Sequence, residues 1–91
     1  MNTNQQIVEL GELFKGRLDA DLVDFAVDYV KHGESILALE TLCDHLCEHE
    51  TPITLSEHDE ILRINSAFGG PLDARVIGYL SRLVVKGCDD S

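Results

Sequence analysis

The sequence predicts an all-α fold, a single compact bundle of about five short helices. Three observations support this prediction. Apolar residues recur at three- and four-residue steps along almost the whole chain, no segment alternates convincingly with period two, and capping residues and glycines divide the chain into five segments. A chain of 91 residues can bury one modest core. We therefore expect one domain over residues 1–91, with residues 1–3 and 88–91 frayed.

The first two helices follow from apolar spacing and from their ends. A helix over roughly residues 4–17 is predicted by the apolar positions Ile7, Leu10, Leu13, Phe14 and Leu18. Gly11 and Gly16 each weaken this helix by about 1 kcal/mol relative to alanine. Asp19 is suited to cap the second helix. The segment Lys31-His32-Gly33 is expected to end this helix, because it places cationic groups in the last turn and a glycine after them.

The other three helices are separated by clear breaks. The third is expected from about Glu34 to His49, before Thr51-Pro52. Ser56 is predicted to cap the fourth, with Asp59 completing an acidic capping box. The segment Gly69-Gly70-Pro71 is the clearest break in the chain. Residues 76–85 are the best strand candidate, but their four-residue apolar spacing favours a fifth helix, which Gly87 stops. Its main apolar stripe is Leu72, Val76, Leu80 and Leu83.

The charge balance restricts the classes of partner. Seventeen acidic residues against 7 basic ones give a formal charge of −10, which argues against nucleic acid and anionic membranes and favours a basic protein. No apolar run is long enough for a transmembrane helix, and the first residues do not resemble a signal peptide. We therefore expect a cytoplasmic protein whose 3 cysteines are reduced.

The acidic residues are concentrated in the middle of the chain. No lysine or arginine lies between Lys31 and Arg63, whereas eight acidic residues do: Glu34, Glu40, Asp44, Glu48, Glu50, Glu57, Asp59 and Glu60. Glu40, Asp44 and Glu48 form one stripe on the third helix, and Asp21, Asp24 and Asp28 form a second on the preceding helix. A docking face for a basic protein is the functional interpretation, and a merely solvating surface is the alternative.

Cysteines and histidines alternate in the third helix, within residues 43–49. His45 and His49 share one face and can chelate a transition metal, whereas Cys43 and Cys47 share the opposite face. The four side chains cannot meet at one ion, so we favour buried cysteines, solvated histidines and no metal or other cofactor. Because nucleophile elbows, glycine-rich phosphate loops and acidic metal motifs are missing from the sequence, we do not expect an enzyme.

The segment from His32 to Thr54, HGESILALETLCDHLCEHETPIT, resembles the core of the MafI-type immunity proteins. There, a turn is followed by a helix of the pattern A-L-E-x-L-C-[DE] and then by a short P-I-[ST] link. These proteins are related to the immunity proteins of contact-dependent growth inhibition, which are CdiI-like. The resemblance implies a bacterial cytoplasmic helical protein that binds and neutralises a toxin domain encoded beside it, often a nuclease and in some systems an EndoU-type RNase.

The resemblance gives Glu40, Asp44 and Glu48 as candidate toxin contacts, and Glu34 with Ala38-Leu39 as turn and packing positions. Together with the charge pattern it predicts a toxin-binding surface of Glu40, Asp44, Glu48, His45, Glu50, Glu57, Asp59 and Glu60. Aromatic anchors would come from Tyr29, Tyr79, His45 and His49, provided that they are exposed. Two alternatives stay open: a small acidic adaptor or regulatory protein for a basic partner, and a metal-handling protein that uses His45 and His49.

Overall fold

Five α-helices make up the computed structural model, which describes residues 3–85. They are α1 (Thr3–Phe14), α2 (Ala20–Lys31), α3 (Ser35–Glu48), α4 (Leu55–Ala67) and α5 (Ala74–Leu83). Within residues 3–85 the only β pairing is two isolated bridges, so the prediction of an all-α fold with five short helices is confirmed. No helix in this range is long and apolar enough to cross a bilayer.

Helix α3 lies at the centre of the bundle, in contact with α1, α2 and α5, while α4 packs on α1 and α5. The side chains of Leu39, Leu42 and Leu46 on α3 are fully buried. They belong to one apolar cluster that draws on every helix, for example through Ile7, Val23, Ile61 and Leu80. Burial of each such side chain contributes about 1.5–3 kcal/mol, so the core holds α3 in a fixed orientation.

The first helix is shorter than predicted. It ends at Phe14 instead of residue 17, because Gly16 adopts a φ of +100° that a helix does not allow. Leu18 accordingly lies in the connection and is still buried. Leu13 is exposed, since Phe14, about 100° further round the helix, takes the position that faces the core.

Two helix starts test the capping predictions. The carboxylate of Asp19 accepts a hydrogen bond from the backbone N–H of Asp21, which confirms Asp19 as the cap of α2. The prediction for α4 is wrong: Thr54 is the cap, not Ser56, and Glu57 is its partner, not Asp59. The Thr54 hydroxyl accepts from the Glu57 N–H at 3.1 Å, and the Glu57 carboxylate accepts from the Thr54 N–H at 2.9 Å. The helix therefore starts one residue before Ser56.

The fifth helix begins at Ala74, after Asp73 as its cap, so Leu72 is a buried loop residue and not part of the helix. The helix ends at Leu83, and an extended segment then pairs with the α3–α4 connection. The N–H of Ile53 donates to the carbonyl of Leu83, and the carbonyl of Ile53 accepts from the N–H of Val85. The predicted stop at Gly87 and frayed residues 88–91 lie outside the described range, whereas Thr3, expected to fray, begins α1.

A buried asparagine positions the loop between α4 and α5. The side-chain oxygen of Asn65 accepts a hydrogen bond from the N–H of Leu72 at 3.0 Å, and its carbonyl accepts one from Gly70. Because Asn65 is itself buried, these bonds fix the chain through the break predicted at residues 69–71. The loop consequently holds residues 71–73 against the outer side of α3.

Candidate functional site

The outward face of α3 carries the acidic stripe that the sequence predicts. Asp44 and Glu48 are exposed and Glu40 is half-buried, whereas the core leucines lie on the opposite side of the helix. We call Glu40, Asp44 and Glu48 the acidic ridge. Successive members are about 6 Å apart along the helix axis, given the rise of an α-helix. Leu37, which is also partly exposed, lies on the same face and adds an apolar contact surface.

A groove of about 410 Å³ runs beside the ridge, between α3 and the start of α5. Its walls include Glu40, Asp44, Pro71, Leu72, Asp73 and Val76. Asp73 supplies a third carboxylate, which also accepts a hydrogen bond from the N–H of Arg75 as the cap of α5. The groove therefore combines three acidic groups with the apolar side chains of Pro71, Leu72 and Val76, which suits a long basic side chain whose stem is apolar. Sequence reasoning missed Asp73 because its contribution depends on how the loop folds.

Within residues 3–85, no lysine or arginine forms an ion pair with the ridge. Most lysines and arginines of residues 3–85 pair elsewhere: Lys15 with Glu12 and Asp24, Arg17 with Glu57, Lys31 with Asp28, and Arg63 with Glu60. Within the same range Glu40 and Asp44 form no ion pair, and the nearest partner of Glu48 is the His45 ring at 3.8 Å. The negative field of the ridge is thus available to an external partner.

Glu57, also predicted as a binding residue, is committed to an internal partner. Its side chain is only 10% exposed and pairs with Arg17, with Nη2–Oε2 at 2.6 Å. Burial acts to raise the pKa of Glu57, but the hydrogen bonds from Arg17 and from the Thr54 backbone outweigh it, so the pKa is lowered. A carboxylate held in this way has a structural role and presents little charge to solvent.

The remaining predicted acidic residues lie outside α3. Asp59 and Glu60 are on α4, which packs on α1 and α5, and Glu60 lines a second groove with Glu9 and Leu13. Glu50 follows α3 and accepts a hydrogen bond from the Tyr79 hydroxyl at 3.2 Å. The nearby charge of Glu50 raises the pKa of Tyr79. The eight predicted residues therefore do not form one continuous surface.

The second acidic stripe lies on α2 and is partly neutralised. Asp21, Asp24 and Asp28 are all exposed. The carboxylate of Asp24 lies 2.9 Å from the Lys15 ammonium, and that of Asp28 lies 3.2 Å from the His32 ring. Asp21 is in the first turn, where the helix dipole favours a negative charge. Because each carboxylate has a local role, this stripe is a weaker candidate for docking than the ridge.

An aromatic and histidine cluster lies where α2 meets the end of α3. The Phe25 ring is 57% exposed, and its centroid lies 5.5 Å from that of Tyr29 and 6.4 Å from that of His45. The His45 and His49 rings are 6.5 Å apart. Sequence reasoning missed Phe25, although an aromatic residue between Asp24 and Asp28, off the apolar stripe of the helix, was a usable signal. Of the predicted anchors, Tyr29 is half-buried, and Tyr79 and His49 are exposed.

The expectation of solvated histidines is wrong for His45. Its side chain is 16% exposed, and both ring nitrogens are buried without a hydrogen-bond partner among residues 3–85. The reason is that the ring packs beside Phe25 in the α2–α3 seam. On the other side of α3, Cys43 is buried and Cys47 is half-buried, and both are free thiols. Burial raises the pKa of each thiol, which suits a packing role.

Comparison with protein-family models, with curated proteins and with solved structures gives no match for this chain.

Proposed function

We propose that this protein is an immunity protein that binds and neutralises a cognate basic toxin domain, a nuclease, in a contact-dependent inhibition or related polymorphic toxin system. The observation that carries the proposal is the acidic ridge of Glu40, Asp44 and Glu48, which the protein's own lysines and arginines leave unpaired within residues 3–85. The resemblance of residues 32–54 to the MafI-type immunity proteins supplies the class of partner.

The mechanism that fits this surface is occlusion. A nuclease needs a basic groove to hold the phosphates of its substrate. The ridge offers a row of negative charges about 6 Å apart along a helix axis, and it can occupy such a groove in place of the substrate. Because the core fixes α3 on its opposite face, the carboxylates are presented without an ordering cost for the backbone. The proposal assigns no chemical step to this chain.

Contacts beside the ridge would supply most of the binding free energy, while its charges would guide association. Charge complementarity raises association rates and excludes wrong partners, whereas hot spots are usually buried aromatic, aliphatic or arginine side chains. Leu37 on the ridge face, and the groove beside Glu40 and Asp44, provide apolar surface and a receptacle for a partner arginine. A standard interface of about 800 Å² per partner would cover the ridge, the groove and part of α5.

Growth rescue tests the proposal. The toxin domain encoded beside this protein is expressed in a bacterium with and without the wild-type chain, and then with E40K/D44K/E48K. Wild type should restore growth, and the ridge variant should fail to do so while retaining its helical circular dichroism. The double variant E40K/D44K, which leaves Glu48 and the histidines intact, should also fail.

The matched control is D21K/D24K/D28K on α2, which changes the net charge by the same amount. We expect it to fold and to protect. Full protection by the folded ridge variant would overturn the role of the ridge, and a toxin that wild type leaves active would overturn the pairing itself. Micromolar, salt-sensitive binding to many basic peptides in place of one tight partner would identify an acidic adaptor.

A further inference from the structure

We propose that His45, Glu48 and His49 form a binding site for one divalent transition-metal ion of the zinc class at the end of α3. One ligand atom from each of the three side chains lies within 4.8 Å of the other two. Positions i, i+3 and i+4 on a helix project from the same side, so a single turn supplies the whole set. This inference is independent of the proposed immunity function.

The unsatisfied ring of His45 is a separate observation that points to a ligand. Both ring nitrogens are buried and make no hydrogen bond to the part of the chain that the structure describes. A buried polar atom without a partner is costly, and a metal ion on one ring nitrogen removes the cost at that nitrogen. The Nδ1 atom lies 3.8 Å from a Glu48 carboxylate oxygen, too far for a hydrogen bond but within the range of two ligands of one ion.

The geometry needs only small side-chain rotations. Ligand atoms about 2.0–2.1 Å from a tetrahedral zinc ion are separated from each other by about 3.3 Å. The three atoms must therefore close in from a spread of up to 4.8 Å. Glu48 and His49 are exposed and can rotate, while His45 is held in place by Phe25. The fixed residue is thus the one that is buried, and the movable residues face solvent.

The surroundings favour a cation. Glu48 is the last residue of α3, and the carbonyl groups of the last helical turn carry partial negative charge. The neighbouring ridge and the net charge of −10 add a negative field. Two imidazoles and one carboxylate are a ligand set that zinc uses with a fourth position open to water or to another group. Cys47 and Cys43 project from the other side of the helix, so we assign the ion no thiolate ligand.

Calorimetric titration of Zn²⁺ into the C47S/C88S variant, which lacks two thiols that could compete for the ion, tests the site. We expect one ion per chain, and at least tenfold weaker binding in H45A and in H49A on the same background. H32A is the matched control, because His32 also lies one turn from a carboxylate, Asp28, and should bind as its parent does. Co²⁺ added to the C47S/C88S variant should give visible bands without a thiolate charge-transfer band.

Thermal unfolding provides a second readout, since an ion that binds only the folded chain raises the midpoint. The rise should be present in H32A and lost in H49A, whose exposed side chain can be removed without unfolding α3. Three results would overturn the assignment: binding that does not saturate at one ion per chain, equal losses of zinc affinity in H32A and H49A, or a thiolate charge-transfer band. E40K/D44K, which is expected to fail in growth rescue but keeps all three ligands, should still bind one Zn²⁺ ion, so the failure of either proposal is visible without the other.

Discussion

Arg17 donates two hydrogen bonds to the carboxylate of Glu57, 40 positions later in the chain, with Nη1–Oε1 at 2.9 Å and Nη2–Oε2 at 2.6 Å. The same guanidinium donates to the carbonyl groups of Leu13 and Pro52. Arg17 thereby joins the end of α1, the α3–α4 connection and the first turn of α4. Glu57 also completes the capping box of α4. The same carboxylate therefore starts α4 and holds it to Arg17.

Removal of this guanidinium should destabilise the fold substantially. We expect R17A to lower the free energy of unfolding by about 2 kcal/mol, because the poorly exposed Glu57 carboxylate loses its charged partner. E57Q should cost less, about 1 kcal/mol, because glutamine also completes a capping box. Urea denaturation followed by circular dichroism measures both.

R63A is the control, because it breaks an exposed ion pair within one helix. Its free energy of unfolding should stay within about 0.5 kcal/mol of wild type. Equal losses of unfolding free energy in R17A and R63A would contradict a special role for Arg17.

The same carboxylate should make stability depend on pH in the acidic range. The pKa of Glu57 is lowered on folding, so its contribution is complete above its ordinary pKa of 4.5 and is lost as the pH falls through the lowered value. We expect the difference in unfolding free energy between wild type and E57Q to be constant near neutral pH and to shrink below that range. Urea titrations from neutral pH down to acid measure the difference. A gap that stays constant or widens in acid would show that the charge of Glu57 does not stabilise the fold.

Two helical glycines should respond to alanine with opposite signs. A Cβ on Gly11 would lie 2.7 Å from Cγ1 of Val27 and 3.1 Å from Cγ1 of Val23, so α1 and α2 approach closely there. G11A should lower the free energy of unfolding by about 1–3 kcal/mol, since overpacking outweighs the gain in helix propensity. G78A meets no atom within 4 Å and should raise it by about 0.5–1 kcal/mol. Stabilisation by G11A would mean that the helices separate at little cost.

The two thiols of α3 should differ in reactivity. Cys43 is buried, and burial raises the pKa of its thiol far above neutral, so the thiolate that reacts with iodoacetamide is almost absent in the folded protein. Cys47 is half-buried and should react slowly. Alkylation followed by peptide mass spectrometry should find Cys43 unmodified under native conditions and fully modified in urea. Native labelling of Cys43 as fast as of Cys47 would contradict the packing described here.

Helix positions could be predicted from the sequence because local chemistry sets them. Asp19 begins α2 through a hydrogen bond within three residues, and apolar spacing oriented α3 correctly. Errors arose where two local signals competed. Thr54 and Ser56 are both good caps, but Thr54 is followed three residues later by Glu57, the usual capping-box partner, whereas Ser56 is followed by Asp59. The contact of Glu57 with Arg17 adds a tertiary interaction that also favours Thr54. The apolar spacing predicts Gly16 as a weak position inside the first helix, whereas in the structure Gly16 belongs to the turn after Phe14.

The candidate site was predicted in part. The ridge of Glu40, Asp44 and Glu48 could be predicted because helical periodicity alone places these residues together. The burial of Glu57 and the contribution of Asp73 could not, since they depend on a partner 40 positions away and on a loop held by Asn65. Likewise, the burial of His45 depends on Phe25 from a neighbouring helix.

Ile53 has an additional significance for the order of assembly. Its N–H group donates to the carbonyl of Leu83 and its carbonyl accepts from the N–H of Val85, residues that lie 30 and 32 positions later in the chain. During synthesis from the N-terminus, the residues of helices α1 to α4 are made before these partners. The Ile53 side chain, which is fully buried in the folded protein, lies in the connection between α3 and α4. The link between α3 and α4 is therefore completed only after translation has passed α5. Until then, the N–H and carbonyl groups of Ile53 lack the backbone partners that they have in the folded protein.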